Sequence, residues 1–200
     1  MNKPAICGGT PVRDTKLYYG HQYIDDADIQ AVVDVLKSDY LTCGPKITEL
    51  EEKLCKLTGA KYAVVCSNGT AALHMACMAA GVEPGDEVIT TPITFAAPAN
   101  CVLYCGGTPV FADIKTDTYN IDPEDIRRKI TDKTKAIVII NPNNPTGAVY
   151  PIDILLKIVD IARRNNLVIF SDEIYDRLCM DGLQHTSIAS LAPDLFCVTF

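Results

Sequence analysis

Short apolar runs of strand length recur along the chain, at Tyr62–Cys66, Glu87–Thr91, Pro109–Asp113, Ala136–Ile140, Leu167–Ser171 and Phe196–Phe200. The segments between them have helical character: 70–80 is Ala-rich and ends at Gly81, and 96–104 follows the second run. Two more, 123–130 and 151–164, carry Pro123 and Pro151 at their starts, where a missing N–H costs nothing, and Asp122 caps the first of them. Strands alternating with helices require crossover connections and so predict a mainly parallel sheet. The runs are apolar on both faces rather than alternating, as strands covered from both sides must be. The expected fold class is therefore α/β, three layers (α/β/α) around a mostly parallel sheet. Ahead of it, 25–38 places Ile29, Val32, Val33 and Leu36 at helical spacing behind Asp25 and Asp26. The segment 46–58 repeats this with Ile47, Leu50, Leu54 and Leu57 before Gly59. The sequence Cys-Gly-Gly-Thr-Pro-Val occurs at 7–12 and again at 105–110, each copy explained locally by a Gly-Gly turn.

A formal charge of −7 and scattered Lys and Arg residues argue against nucleic acid and acidic lipid surfaces as partners. No apolar run reaches membrane-spanning length, and Met1-Asn2-Lys3-Pro4 does not open a secretory signal, so a cytoplasmic protein with a small-molecule substrate is expected. The nine cysteines include no C-x-x-C pair and read as reduced, small apolar side chains. Cys101 and Cys105 have the spacing of two ligands on a helix face, but His21, His74 and His185 do not complete a set, so no metal is expected.

Ligands of open α/β sheets bind beyond the carboxyl ends of the strands, and four such ends carry informative residues. Ser67-Asn68-Gly69-Thr70 opens a helix, where free N–H groups and the helix dipole suit a phosphate, although a plain helix cap explains it equally well. No G-x-G-x-x-G or G-x-x-x-x-G-K-[ST] sequence occurs, which removes the usual support for dinucleotide or P-loop binding. Phe95 follows the run ending at Thr91, either as a core plug or as a platform for a ligand. Asn141-Pro142-Asn143-Asn144-Pro145-Thr146-Gly147 combines side-chain amides with enforced turns. Ser171-Asp172-Glu173-Ile174-Tyr175 brings acids out of a wholly apolar strand, where a carboxylate needs a cation or a donor.

The Asn-Asn-Pro-Thr-Gly sequence at 143–147, followed by Ser-Asp-Glu-Ile-Tyr-Asp at 171–176, resembles the class I aminotransferases that use pyridoxal 5'-phosphate (PLP) in the aspartate-aminotransferase fold. The resemblance implies that Asn144 bonds the phenolic oxygen of PLP and that Tyr175 meets it from the other side. It implies that Asp172 pairs with the pyridine nitrogen, Gly69 and Thr70 hold the phosphate, and Phe95 stacks on the ring. An anionic Asp172 keeps that nitrogen protonated, which makes the ring an electron sink. From about 3 to 137 the chain is instead similar to the DegT/DnrJ/EryC1/StrS sugar aminotransferases. The residues that carry this are Tyr-Ile-Asp-Asp-Ala-Asp-Ile at 23–29, Ser-Asp-Tyr-Leu-Thr-Cys-Gly-Pro at 38–45 and Ser-Asn-Gly-Thr-Ala-Ala-Leu-His at 67–74. From about 138 to 200 it resembles the alanine-type class I enzymes, so the two likenesses meet within the strand at 136–140.

Either likeness implies transamination from an amino-acid donor to a keto acceptor, with a nucleotide-linked keto sugar favoured because two thirds of the chain resembles that branch. The alternatives are a sugar dehydratase of the same family and a non-catalytic, truncated or recombined chain. The resemblance also implies a homodimer, with 41–45 reaching toward the second subunit, an N-terminal arm at 1–24, and a partial PLP-binding domain at 25–200. It places the Schiff-base lysine shortly after the strand matching Cys197–Phe200, where this sequence supplies none, so no catalytic residue is assigned, the fragment is expected to be inactive, and the C-terminal domain is expected to be absent. The fold's seventh strand follows that lysine and lies between the first and the sixth. Without it Tyr62–Cys66 is expected to lack a neighbour, the last strand to expose an apolar edge, and the chain to fold poorly by itself.

Overall fold

The computed structural model describes residues 3–18 and 20–200; Met1, Asn2 and Tyr19, within the expected arm, lie outside the described residues. Two compact units divide between Val64 and Val65. The first holds a short 3-10 turn at Ala5–Cys7 and the helices α1 (Asp26–Leu36) and α2 (Pro45–Thr58). Asp25 accepts from the N–H groups of Ala27 and Asp28 while Asp28 answers to the Asp25 N–H, a reciprocal cap that fixes where α1 begins. Gly44 precedes Pro45 at the start of α2, and Gly59, at φ 76°, ends it in the left-handed conformation that suits glycine.

The second unit contains α3 (Gly69–Ala79), β1 (Glu87–Thr90), α4 (Ala97–Tyr104), β2 (Thr108–Phe111), α5 (Pro123–Lys129), β3 (Thr134–Ile140), α6 (Ile152–Arg164), β4 (Val168–Asp172), α7 (Ile188–Leu191) and β5 (Cys197–Thr199). All four strand pairings are parallel, and the order across the sheet is β2-β1-β3-β4-β5. The expected three layers are present. Alternate β3 residues face opposite cores: Ala136 and Val138 pack with Leu73, Cys77, Cys101 and Val102 of α3 and α4, and Ile137 and Ile139 with Ile126, Leu155, Ile158 and Ile188 of α5, α6 and α7. The part of a strand that alternates in this way must be apolar throughout, and β3 is so from Ala136 to Ile140.

One expected strand is absent. Residues 62–66 form no strand, and Tyr62 and Val64 are 76% and 71% exposed. A strand exists only through its ladder partners, and none of the five strands pairs with this segment. β5 accordingly stands at one edge of the sheet, with the preceding Phe196 largely exposed, and β2 stands at the other. No helix among the described residues is long and apolar enough to cross a membrane.

Candidate functional site

The sheet runs outward from β1 to β2 and then returns to place β3 on the other side of β1, so the topology switches between β1 and β3. The ligand-binding crevice of an open α/β sheet therefore lies beyond the carboxyl ends of those two strands. Phe95 leaves the end of β1 on an exposed loop, Asn144 lies half-buried four residues beyond the end of β3, and Asp172 is the last residue of β4. Tyr175 follows half-buried on the turn after it. Gly69 and Thr70 begin α3, which packs on Val88 and leads through a short turn into β1, so the start of α3 lies at the strands' carboxyl end. Cys101 Sγ on α4 donates to the Thr70 carbonyl at 3.3 Å and fixes that start against the helix that follows β1. All six residues expected from the sequence thus belong to elements that meet at one end of one sheet.

The start of α3 has the chemistry of an anion site. Asn68 caps it, its side chain accepting from the Ala71 N–H at 2.9 Å, and the Gly69 and Thr70 N–H groups stand in the first turn, where the helix itself supplies no acceptor. A Cβ on Gly69 would meet nothing within 4 Å and the residue is not left-handed, so the fold itself does not require glycine there. Free N–H groups at the positive end of a helix of eleven residues suit a phosphate.

Asp172 has the opposite character. Burial pushes its carboxyl above the usual range, and one donor, the Ile174 N–H at 3.1 Å, works against that shift. Among the described residues no Lys, Arg or His pairs with it. A half-buried carboxylate of this kind lacks a cation, and a protonated ring nitrogen is one.

The loop at 141–147 is held by its own amides. Asn141, fully buried, donates to the Thr186 carbonyl at 3.2 Å and accepts from the Tyr150 N–H at 3.0 Å. Asn143 Nδ2 donates to Thr146 Oγ1 at 2.9 Å and to the Ile93 carbonyl at 3.3 Å. The Asn141–Pro142 and Asn144–Pro145 peptide bonds are cis. Beside Asp172, Glu173 Oε1 accepts from the hydroxyls of Ser171 at 2.9 Å and Ser187 at 3.0 Å. His185 Nε2 lies 3.6 Å from the other carboxylate oxygen, close enough for an ion pair and too far for a hydrogen bond. Sequence reading missed this cluster because its members stand as much as sixteen positions apart with no periodic signal. The orphan buried oxygens of Thr90, Thr91, Thr94 and Asn143 also gather where β1 and β3 end. The residues therefore fit PLP at both of its charged ends: donors for an anion at α3 and an acceptor for a cation at β4.

Known proteins share this framework. Bacillus subtilis SpsC, a spore coat polysaccharide biosynthesis protein, is 43% identical over 129 residues, covering 64% of this chain and 33% of that protein. The glutamate-pyruvate aminotransferase AlaA of Escherichia coli K12 is 45% identical over 139 residues, covering 68% of this chain and 34% of that one. Spr1654 of Streptococcus pneumoniae, solved in its PLP form, superposes with a TM-score of 0.68 at 35% identity, covering 76% of this chain and 41% of that one. The chain spans about a third of the length of the two curated relatives. The family profile matches residues 22–173, through β3 and β4, so the strand at which the two likenesses meet lies inside the matched stretch. With about three quarters of its residues under that match, the chain belongs to the DegT/DnrJ/EryC1/StrS aminotransferase family.

Proposed function

We propose that the chain is the PLP-binding part of an aminotransferase that moves an amino group from an amino acid to a keto acceptor. The observation that carries this reading is Asp172, a half-buried carboxylate without a cation at the end of a core strand. When bound, PLP supplies the sink for the electron pair left as a substrate loses its α-proton. Asp172 holds a proton on the ring nitrogen, and Phe95 supports one face of the ring. The Asn144 amide donates to the phenolic oxygen, with the Tyr175 hydroxyl on its other side. The Gly69 and Thr70 N–H groups would hold the phosphate.

A nucleotide-linked keto sugar is the favoured acceptor, supported by the extent of the family match and the likeness to SpsC; the likeness to AlaA supports a keto acid instead. The same reading makes residues 1–24 an arm and 25–200 the partial large domain of a cytoplasmic homodimer. The family resemblance would place the covalent lysine shortly after the strand matching β5, and no lysine follows Lys157 in this sequence.

Pyridoxamine 5'-phosphate, which needs no covalent lysine, tests the site in this chain directly. Titration calorimetry should show one site, weakened at least about tenfold by Asp172→Ala and by the use of pyridoxamine without its phosphate. Absence of binding, or binding indifferent to both changes, overturns the reading. Acceptor choice is then settled in polypeptide that carries the lysine, by offering a nucleotide-linked keto sugar against pyruvate.

A further inference from the structure

We infer that Asn143 is a positioning residue that ties the loop carrying Phe95 to the loop carrying Asn144. Its functional consequence rests on the cofactor reading above. The tie itself is structural. Asn143 Nδ2 reaches across the crevice to the Ile93 carbonyl, fifty positions earlier in the chain and two before Phe95, at 3.3 Å. The second proton of the same nitrogen goes to Thr146 Oγ1 at 2.9 Å, inside the turn that presents Asn144. The main chain of Asn143 is fixed as well: its N–H donates to the Ala148 carbonyl at 2.9 Å, and its carbonyl accepts from the Gly147 N–H at 2.7 Å. The orientation of the amide follows from the chemistry, because a main-chain carbonyl can only accept, so the group facing Ile93 is the donor.

Stability alone does not account for an asparagine here. With Nδ2 committed to Ile93 and Thr146, Oδ1 is left buried without a donor, in a residue only 1% exposed. A buried acceptor without a partner is costly, and an apolar side chain of similar shape would avoid it. What the amide does, and an apolar group cannot, is hold two loops from opposite sides of the topological switch at a fixed separation. Phe95 is half exposed, and among the described residues no hydrogen bond engages the Asn144 side chain. The distance between a ring platform and a ring-oxygen donor is therefore set by the segments that carry them.

The test compares Asn143→Asp with the unaltered chain. The aspartate has nearly the same shape and can accept from the Thr146 hydroxyl where the amide had donated to it, but it sets an oxygen against the Ile93 carbonyl. Fluorine NMR of the chain labelled with 4-fluorophenylalanine, with Phe95 assigned through Phe95→Leu, reads the first loop without any cofactor. Hydrogen exchange at the Asn143 and Gly147 amides reads the second. The inference expects the Phe95 resonance to shift and sharpen while those amides stay protected, and pyridoxamine 5'-phosphate to bind roughly threefold to tenfold more weakly. Asn143→His, which keeps one N–H donor, should restore part of both signals. An unmoved Phe95 resonance in Asn143→Asp overturns the tie, and an altered resonance with unchanged affinity overturns its role in the site. If Asn143→Asp does not fold, Asn143→His decides: a native-like Phe95 resonance supports the tie and a displaced one overturns it. Failure of the unaltered chain to bind pyridoxamine 5'-phosphate, with the Phe95 response intact, would instead remove the cofactor reading and leave the tie standing.

Discussion

Gly69→Ala separates what the fold needs from what the site needs. The backbone at Gly69 is open to any residue: its Cβ position meets nothing within 4 Å, and the residue is exposed at the first position of α3. Alanine at such a position stabilises a protein by about 0.4–1 kcal/mol, chiefly because the unfolded chain has fewer conformations to lose. For a unit the size of Val65–Phe200, a kcal/mol corresponds to roughly 3–5 °C, so the melting temperature should rise by about 1–5 °C. The new methyl group would stand beside the free N–H groups that a phosphate must approach closely. Calorimetric titration with pyridoxamine 5'-phosphate should therefore show affinity falling by at least about tenfold, while the residual binding of pyridoxamine, which has no phosphate, stays as it was. Thermal unfolding and the two titrations on the same preparation suffice. A loss of more than about 1 kcal/mol in stability would show that the glycine serves the backbone. Unchanged affinity for the phosphorylated ligand would show that the start of α3 does not hold the anion.

Three further perturbations test other parts of the argument. Tyr150→Phe removes the hydroxyl that accepts from the fully buried Ile121 N–H at 3.1 Å; urea unfolding should show a loss of about 1–3 kcal/mol, and a neutral result would mean that this N–H finds another partner. Burial raises the Asp172 pKa in the folded state, so its ionised form costs stability above that raised value, and the cost vanishes below the unfolded value of about 3.9. In the absence of cofactor Asp172→Asn should therefore be more stable than the parent at pH 7, with the gap closing as pH falls through that window; a gap that widens on acidification refutes the sign. Burial pushes the Cys77 thiol up to about 12 and Cys101 up to about 11, whereas Cys7 and Cys43 are exposed; iodoacetamide with peptide mapping should label the exposed pair first, and equal rates would contradict the packing of α3 on α4.

The sheet was legible because its central strands β1, β3 and β4 are buried between helices on two sides, which forces continuous apolar runs of strand length. The run at 62–66 carries the same local signal and forms no strand, because pairing depends on neighbours and not on composition. α7 was missed since four residues cannot display a helical period. Asp172, Asn144 and Phe95 could be picked out as polar or aromatic residues just past apolar runs, a position that strand topology makes meaningful. The separate tasks of Asn141 and Asn143 could not, because their partners, Thr186 and Ile93, lie 45 and 50 positions away. Nor could the Glu173 cluster, which closes only when residues 185–187 return over the end of β4.

The cap that opens α3 also sets how this chain ages. Asn68 is followed by Gly69, the pair in which a following main-chain nitrogen most readily attacks the side-chain amide and converts asparagine to aspartate or isoaspartate. In the native chain the Asn68 oxygen is engaged by the Ala71 N–H, and Gly69 is already the first residue of the helix, so both the side chain and the backbone step that must rearrange are restrained. Release of that first turn removes both restraints. Deamidation at Asn68 therefore records how often the start of α3 opens, and each event places a negative charge or a lengthened backbone where free N–H groups had been. By contrast, Asn141 and Asn144 each precede a proline, whose ring nitrogen has no hydrogen to give up, and this route is closed to them. Chemical damage in stored protein would thus fall more readily on the anion-binding end of the crevice than on Asn141 and Asn144 opposite it.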